Sequence, residues 1–153
     1  SMGEAKKLVV SIVEGKGFAP NSNTFVYYSF RTNDYYTNTH SGVHPMWDHW
    51  NIVEVLYNQD FKNYLRNGEI EFIVLDDNAP LSDTESSDVV GNVRVPLVTL
   101  IEGSSIGLTL PVRKGSTITG EITLRIFWYS SRESKDSKES KELKDSKEPK
   151  EIQ

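Results

Sequence analysis

EIEFIVLDDNAPLSDTESSDVVGNVRVPL, Glu69 to Leu97, is the stretch on which the reading of this chain turns. Its first eight residues alternate: Ile70, Phe72 and Val74 fall on one side, Glu69, Glu71 and Ile73 on the other, the period-two pattern of a half-buried strand. A long loop rich in Asp, Ser and Glu follows. Asp88-Val-Val-Gly91 then opens a second strand, Gly91–Val95, which closes on Pro96-Leu97. Two strands joined by an acidic loop predict a β-sheet domain with a functional or vestigial loop at one end.

The same period runs outward in both directions. Leu8, Val10 and Ile12 alternate with Val9, Ser11 and Val13, while Ile122, Leu124, Ile126 and Trp128 alternate with Glu121, Thr123, Arg125 and Phe127. Further strands fit Phe25–Arg31, Tyr35–Thr39, Trp50–Leu56 and Ile106–Leu110, separated by Gly15-Lys16-Gly17, Asn33-Asp34, Gly103-Ser104 and Lys114-Gly115. Eight short strands predict an all-β antiparallel sandwich. One helix is expected, Asp60 to Asn67, capped by Asp60, with Phe61, Tyr64 and Leu65 on one face and Gly68 ending it in a left-handed turn.

With 153 residues, 37% hydrophobic and 10% aromatic, the chain can bury one core but not two. Ser1-Met2 reads as a cloning remnant, so residues 1–5 are expected to be tag or linker, 6–130 the domain, and 131–153 a disordered tail. From Arg132 onward seven basic residues balance seven acidic ones in a Ser-Lys-acid repeat of period three, which lays down no apolar stripe on a helix. The net charge of −5 therefore belongs to residues 1–131. The absence of cysteine excludes a disulfide framework and thiolate chemistry. No apolar run approaches a membrane span and the start lacks the form of a signal peptide, so a cytoplasmic location is expected.

Catalytic and nucleic-acid readings find little to stand on. His40, His44 and His49 lack ligand spacing for zinc, no Gly-x-Ser-x-Gly elbow or phosphate-cradling glycine loop occurs, and Asp76-Asp77 has no identifiable partner histidine. An acidic domain lacks the basic footprint that phosphates require. Trp47, Trp50 and Trp128 could form a sugar-stacking surface, or simply pack. No catalytic residue and no cofactor is expected.

Five segments in order resemble a C2 domain: Leu8-Val-Val-Ser-Ile-Val-Glu-Gly-Lys-Gly-Phe18, Asn23-Thr-Phe-Val-Tyr-Tyr28, His44-Pro-Met-Trp47-Asp-His49, Phe72-Ile-Val-Leu-Asp76 and Asp88-Val-Val-Gly91, with Val95-Pro-Leu97 beyond them. The resemblance covers residues 6–129 and implies an eight-stranded antiparallel C2-type β-sandwich, in the circularly permuted type II order because the chain opens directly on the Leu-x-Val-x-Ile strand. A narrower resemblance, carried by Phe25-Val-Tyr-Tyr-Ser-Phe30, Phe61-Lys-Asn-Tyr-Leu-Arg-Asn-Gly-Glu-Ile-Glu-Phe72, Val93-Arg-Val-Pro-Leu-Val-Thr-Leu100 and Gly120-Glu-Ile-Thr-Leu-Arg-Ile-Phe-Trp-Tyr129, is to a C2 domain of the RPGR-interacting proteins, fantom among them. It implies a non-catalytic protein-protein interaction module of a ciliary scaffold, at the transition zone or basal body, with nephrocystin-type partners.

In C2 domains the resemblance places calcium between two loops. The third loop retains Asp76, Asn78 where a second Asp would stand, and Asp88. The first, Phe18-Ala-Pro-Asn-Ser-Asn23, carries no carboxylate, with Asn23 in the family's Asp position. Calcium needs about six to eight oxygen ligands, so no metal is expected and Asp76, Asn78 and Asp88 are residual positions. A calcium-dependent or calcium-independent phospholipid binder is the alternative. Against it, the Phe25–Thr39 segment carries only Arg31 as a basic residue, while lipid attraction rests on clusters of Lys and Arg. Phe18 is either a loop-tip membrane anchor or the plug of the sandwich end. The expected partner surface includes Tyr27, Tyr28, Tyr35 and Tyr36, whose rings combine apolar area with a polar tip, and Asp77 and Asp83 of the acidic loop.

Overall fold

A computed structural model describes residues 2–78 and 88–130. Nine strands, one α-helix and one 3-10 turn follow in the order β1 (Glu4–Lys16), β2 (Asn23–Phe30), β3 (Asn33–Tyr36), β4 (His40–Ser41), β5 (His49–Tyr57), α1 (Gln59–Asn67), β6 (Glu69–Asp76), β7 (Val89–Pro96), the turn Val98–Glu102, β8 (Ile106–Lys114) and β9 (Thr117–Trp128). All pairings are antiparallel, and the strands form one curled sheet in the order β3-β2-β6-β7-β8-β9-β1-β5, with β4 on β2. The sheet folds over between β7 and β8, which share the single register pair Asn92–Arg113. It thus makes two four-stranded layers, β3-β2-β6-β7 and β8-β9-β1-β5. Gly91 permits the fold-over, since a Cβ there would stand 2.6 Å from the Arg113 carbonyl oxygen.

The expected eight-stranded sandwich is present; β4, two residues long, is the addition. Period two explains the core: Leu8, Val10 and Ile12 of β1 and Ile122, Leu124 and Ile126 of β9 face Val26, Tyr28 and Phe30 of β2 and Ile70, Phe72 and Val74 of β6. The last strand pairs with the first, and the Tyr129 amide donates to the Lys7 carbonyl at 2.8 Å. Neighbouring ends are what a circularly permuted order requires. β1 already starts at Glu4, so Glu4 and Ala5, expected as linker, pair with Tyr57 and Leu56. The charged tail lies outside the described residues.

Three local expectations are corrected. The strand expected at Tyr35–Thr39 stops at Tyr36, because the Thr37 hydroxyl rather than a main-chain carbonyl accepts the Val26 amide (2.9 Å). The helix cap is Asn58, not Asp60: its side chain accepts from the Phe61 amide at 2.9 Å, adding a turn's start upstream. Gly68 ends the helix in extended conformation (φ −95°, ψ 169°), not left-handed, and glycine serves there because a Cβ would lie 2.5 Å from the Tyr64 carbonyl oxygen.

Candidate functional site

The loop end of the sandwich is held by its own polar groups. The Asp76 carboxylate, at the end of β6, accepts from the amides of Asn23 (3.0 Å) and Asn78 (2.9 Å), while the Asp76 amide donates to the Asp88 carbonyl (2.9 Å). The Asn78 side-chain amide reaches the Asn21 carbonyl at 3.2 Å, and the Asp77 amide donates to the carbonyl of Asn23 at 2.8 Å. Asp76 therefore ties the third loop to the first through backbone. Asp77 and Asp88 are exposed, and no group of three or more His, Asp or Glu side chains able to hold a metal exists among the described residues. Asp83 lies outside the described residues.

Phe18 is buried (3% exposed), edge-on to Trp47 with centroids 5.9 Å apart, so it plugs the sandwich end instead of projecting from it. Trp47 is equally buried and donates its indole N–H to the Thr24 carbonyl (3.1 Å). Trp128 donates to the Leu100 carbonyl (2.9 Å), and Trp50 packs edge-to-face on Phe127. All three indoles are engaged in packing, which removes the sugar-stacking surface. A cleft of about 350 Å³ between β5 and the β2–β3 turn is lined by Arg31, Glu54 and Asp60, but by no tryptophan. Of the histidines, His44 pairs with Glu14 at 2.6 Å, and His49 lies 2.9 Å from the Tyr28 hydroxyl.

Register divides the four tyrosines expected at a partner surface. Tyr27 pairs with Tyr36 and Tyr28 with Tyr35, so alternation sends one pair outward and the other inward. Tyr28 is wholly buried, stacks on Tyr35 (5.3 Å) and accepts from the Asn51 side-chain amide at 2.8 Å. Burial pushes its phenol well above the ordinary tyrosine range and pushes the His49 imidazole down. Tyr28 is a core residue, and Tyr35 packs against the same core. This corrects the place of Tyr28 at a partner surface; Tyr35 is half-buried. Tyr27 and Tyr36 remain on the outer face.

That outer face of β3-β2-β6-β7 is apolar toward the loop end and charged toward α1. Tyr36 (60% exposed) packs against Tyr27 (5.1 Å between centroids) and Phe25 (6.2 Å), and the register sets Phe25 beside Leu75 and Tyr27 beside Ile73. The Tyr27 hydroxyl donates to Asp34 at 2.9 Å, a bond that raises the phenol above its ordinary value. On the charged half, Arg94 meets Glu69 at 2.6 Å and Glu71 at 3.4 Å, and Asn92 donates to Glu71. Phe25, Ile73 and Leu75 were not among the expected site residues. The signal was present in Ile73, an apolar residue on the polar side of an alternating strand.

The sequence matches the family model of C2 domains over residues 6–112. No curated protein matches closely enough to name a relative. Among solved structures, CC2D1B is similar at 20% identity and a TM-score of 0.66, over 80% of this chain and 54% of that one, so the match spans about half of CC2D1B. A C2 domain-containing protein is 26% identical with a TM-score of 0.61, over 88% of this chain and 96% of that one. A C2 domain of plant extended synaptotagmin 1 is 13% identical with a TM-score of 0.59, over 82% of this chain and 97% of that one. A family match across most of the two layers, carried by the same strands that build the core, makes this chain a member of the C2 domain family.

Proposed function

We propose that this C2 domain is a non-catalytic, calcium-independent protein-docking module, cytoplasmic, and part of a ciliary scaffold of the RPGR-interacting kind acting at the transition zone or basal body with nephrocystin-type partners. The observation that carries the calcium-independent reading is the state of the two loops. The first has no carboxylate, and the main ligand position of the third, Asp76, commits one carboxylate oxygen to the amides of Asn23 and Asn78. A calcium ion would find too few ionised oxygens to offset its desolvation. The ciliary part rests on the resemblance of the segments Phe61–Phe72, Val93–Leu100 and Gly120–Tyr129.

Thermal unfolding with and without millimolar calcium, joined to a pull-down on phosphatidylserine liposomes, tests this. Unchanged melting and no retention are expected. Several degrees of stabilisation by calcium, abolished by Asp76→Asn with Asp88→Asn, would instead establish the lipid-binding alternative, which the adjacency of Asp76 and Asp88 favours. For the ciliary part, co-precipitation of the domain with nephrocystins from ciliated cells is the expected result, and its absence counts against that assignment.

A further inference from the structure

We infer that the outer face of β3-β2-β6-β7 is the docking surface and that its partner is a cationic protein segment carrying apolar side chains; this rests on the protein-docking reading above. Two independent features of the face lead there. The first is apolar area held in place without a cover among the described residues. Phe25, Tyr27, Tyr36, Ile73 and Leu75 form a contiguous patch across three strands, and the rings are fixed by mutual contacts of 5.1 and 6.2 Å and by the Tyr27–Asp34 hydrogen bond. Rings fixed before binding lose little entropy on contact, which is why tyrosine serves so well at interfaces.

The second is the sign of the charge around the patch. Toward α1 stand Asp34, Glu69 and Glu71, with Arg31 in the turn between β2 and β3; toward the loops stand Asp76, Asp77 and Asp88. Arg94 is the one basic residue in the four strands; it is shared between Glu69 and Glu71 and offsets one of their two charges, so the α1 end is the less acidic of the two. The patch thus lies between two acidic ends. Lys or Arg flanking an apolar stretch complements both ends at once, whereas an anionic lipid surface or an acidic peptide meets repulsion from both.

The probe is a synthetic amphipathic leucine–lysine peptide, titrated into the full chain while amide NMR shifts are followed, with a leucine–glutamate peptide of the same pattern as comparison. Shifts centred on Phe25, Tyr27, Tyr36, Ile73 and Leu75 are expected for the lysine peptide only. Binding should weaken with added salt and by roughly tenfold or more in Tyr36→Ser, the size of a truncated tyrosine hot spot. Ile52→Ser, on the opposite outer face, should bind as the parent does. Shifts centred on β5 and β9, equal binding of the glutamate peptide, or no binding of either would overturn the inference while leaving the docking reading intact. Retention on phosphatidylserine liposomes would overturn the docking reading itself.

Discussion

The two outer faces of the sandwich carry similar amounts of aromatic sequence and treat it in opposite ways. On β8-β9-β1-β5, Phe127 is only 3% exposed although it points away from the core: Trp50 lies edge-on to it at 5.6 Å, the Arg125 guanidinium sits 4.4 Å over its ring, and Val9 beside it is fully buried. On β3-β2-β6-β7, Tyr36 is 60% exposed and nothing among the described residues covers it. Around Phe127 the first face packs within the chain, while Ile52 (41% exposed) and Leu56 (42%) at its β5 edge stay open. The second has assembled an apolar patch that no described residue covers, and the proposed docking surface rests on that difference.

The comparison breaks most plainly at Phe127. Phe127→Ala removes a ring that is buried from both sides, and a loss of about 3 kcal/mol in denaturant unfolding is expected; a loss no larger than that of an exposed residue would mean that the closed face is not a second small core. Next in size is Asp76→Ala at the loop end of the open face. Two charge-assisted amide bonds go with it, so about 2 kcal/mol should be lost equally with and without calcium. A calcium-dependent difference would restore the ion to the loop. Arg125→Ala should cost about 1 kcal/mol through its stacking on Phe127, and little change would show that Trp50 alone closes that face. Tyr36→Ser is the smallest in stability, below about 0.5 kcal/mol, since the ring is exposed.

A pH test separates the inner from the outer side of β2. The Asn51 amide donates to the Tyr28 oxygen, the Tyr28 hydroxyl lies 2.9 Å from His49 Nε2, and burial of the ring favours the neutral imidazole. Burial lowers the His49 pKa from 6.5, so the unfolded chain takes up the proton first and stability falls as pH drops below about 6.5 toward the folded value. The melting temperature of the parent should therefore fall more steeply than that of His49→Gln between about pH 7.5 and about pH 5.5. Parallel curves would show that burial does not hold the imidazole neutral.

Much of this was legible beforehand because strand alternation is a local property. The spacing of Ile70, Phe72 and Val74 puts them on one side of a half-buried strand, and all three are buried; the His44-Pro-Met-Trp47 segment carries Trp47, which is buried against Phe18 at the sandwich end. The misread positions share a cause. Tyr27, Tyr28, Tyr35 and Tyr36 look alike in sequence, but which of them face outward depends on the register of β2 with β6, a long-range choice that a one-residue slip would invert and that the β2–β3 turn passes on to β3. Asn58 took the cap from Asp60 because both residue types cap well and the helix start is set by where β5 ends.

By itself the sequence determined that this is an all-β domain, which segments form its eight main strands, and that its first loop lacks the carboxylates for calcium, since periodicity and residue type are written in the chain. Only the tertiary structure decided that one Asp76 carboxylate oxygen ties two loops together, that Phe18 plugs the sandwich end, and that Phe127 is covered on its outer face while Tyr36 is exposed on the other. Those outcomes depend on contacts between segments far apart in the chain, such as Asn23 with Asp76 and Trp50 with Phe127. Such contacts exist only once the sheet has curled and the register is fixed.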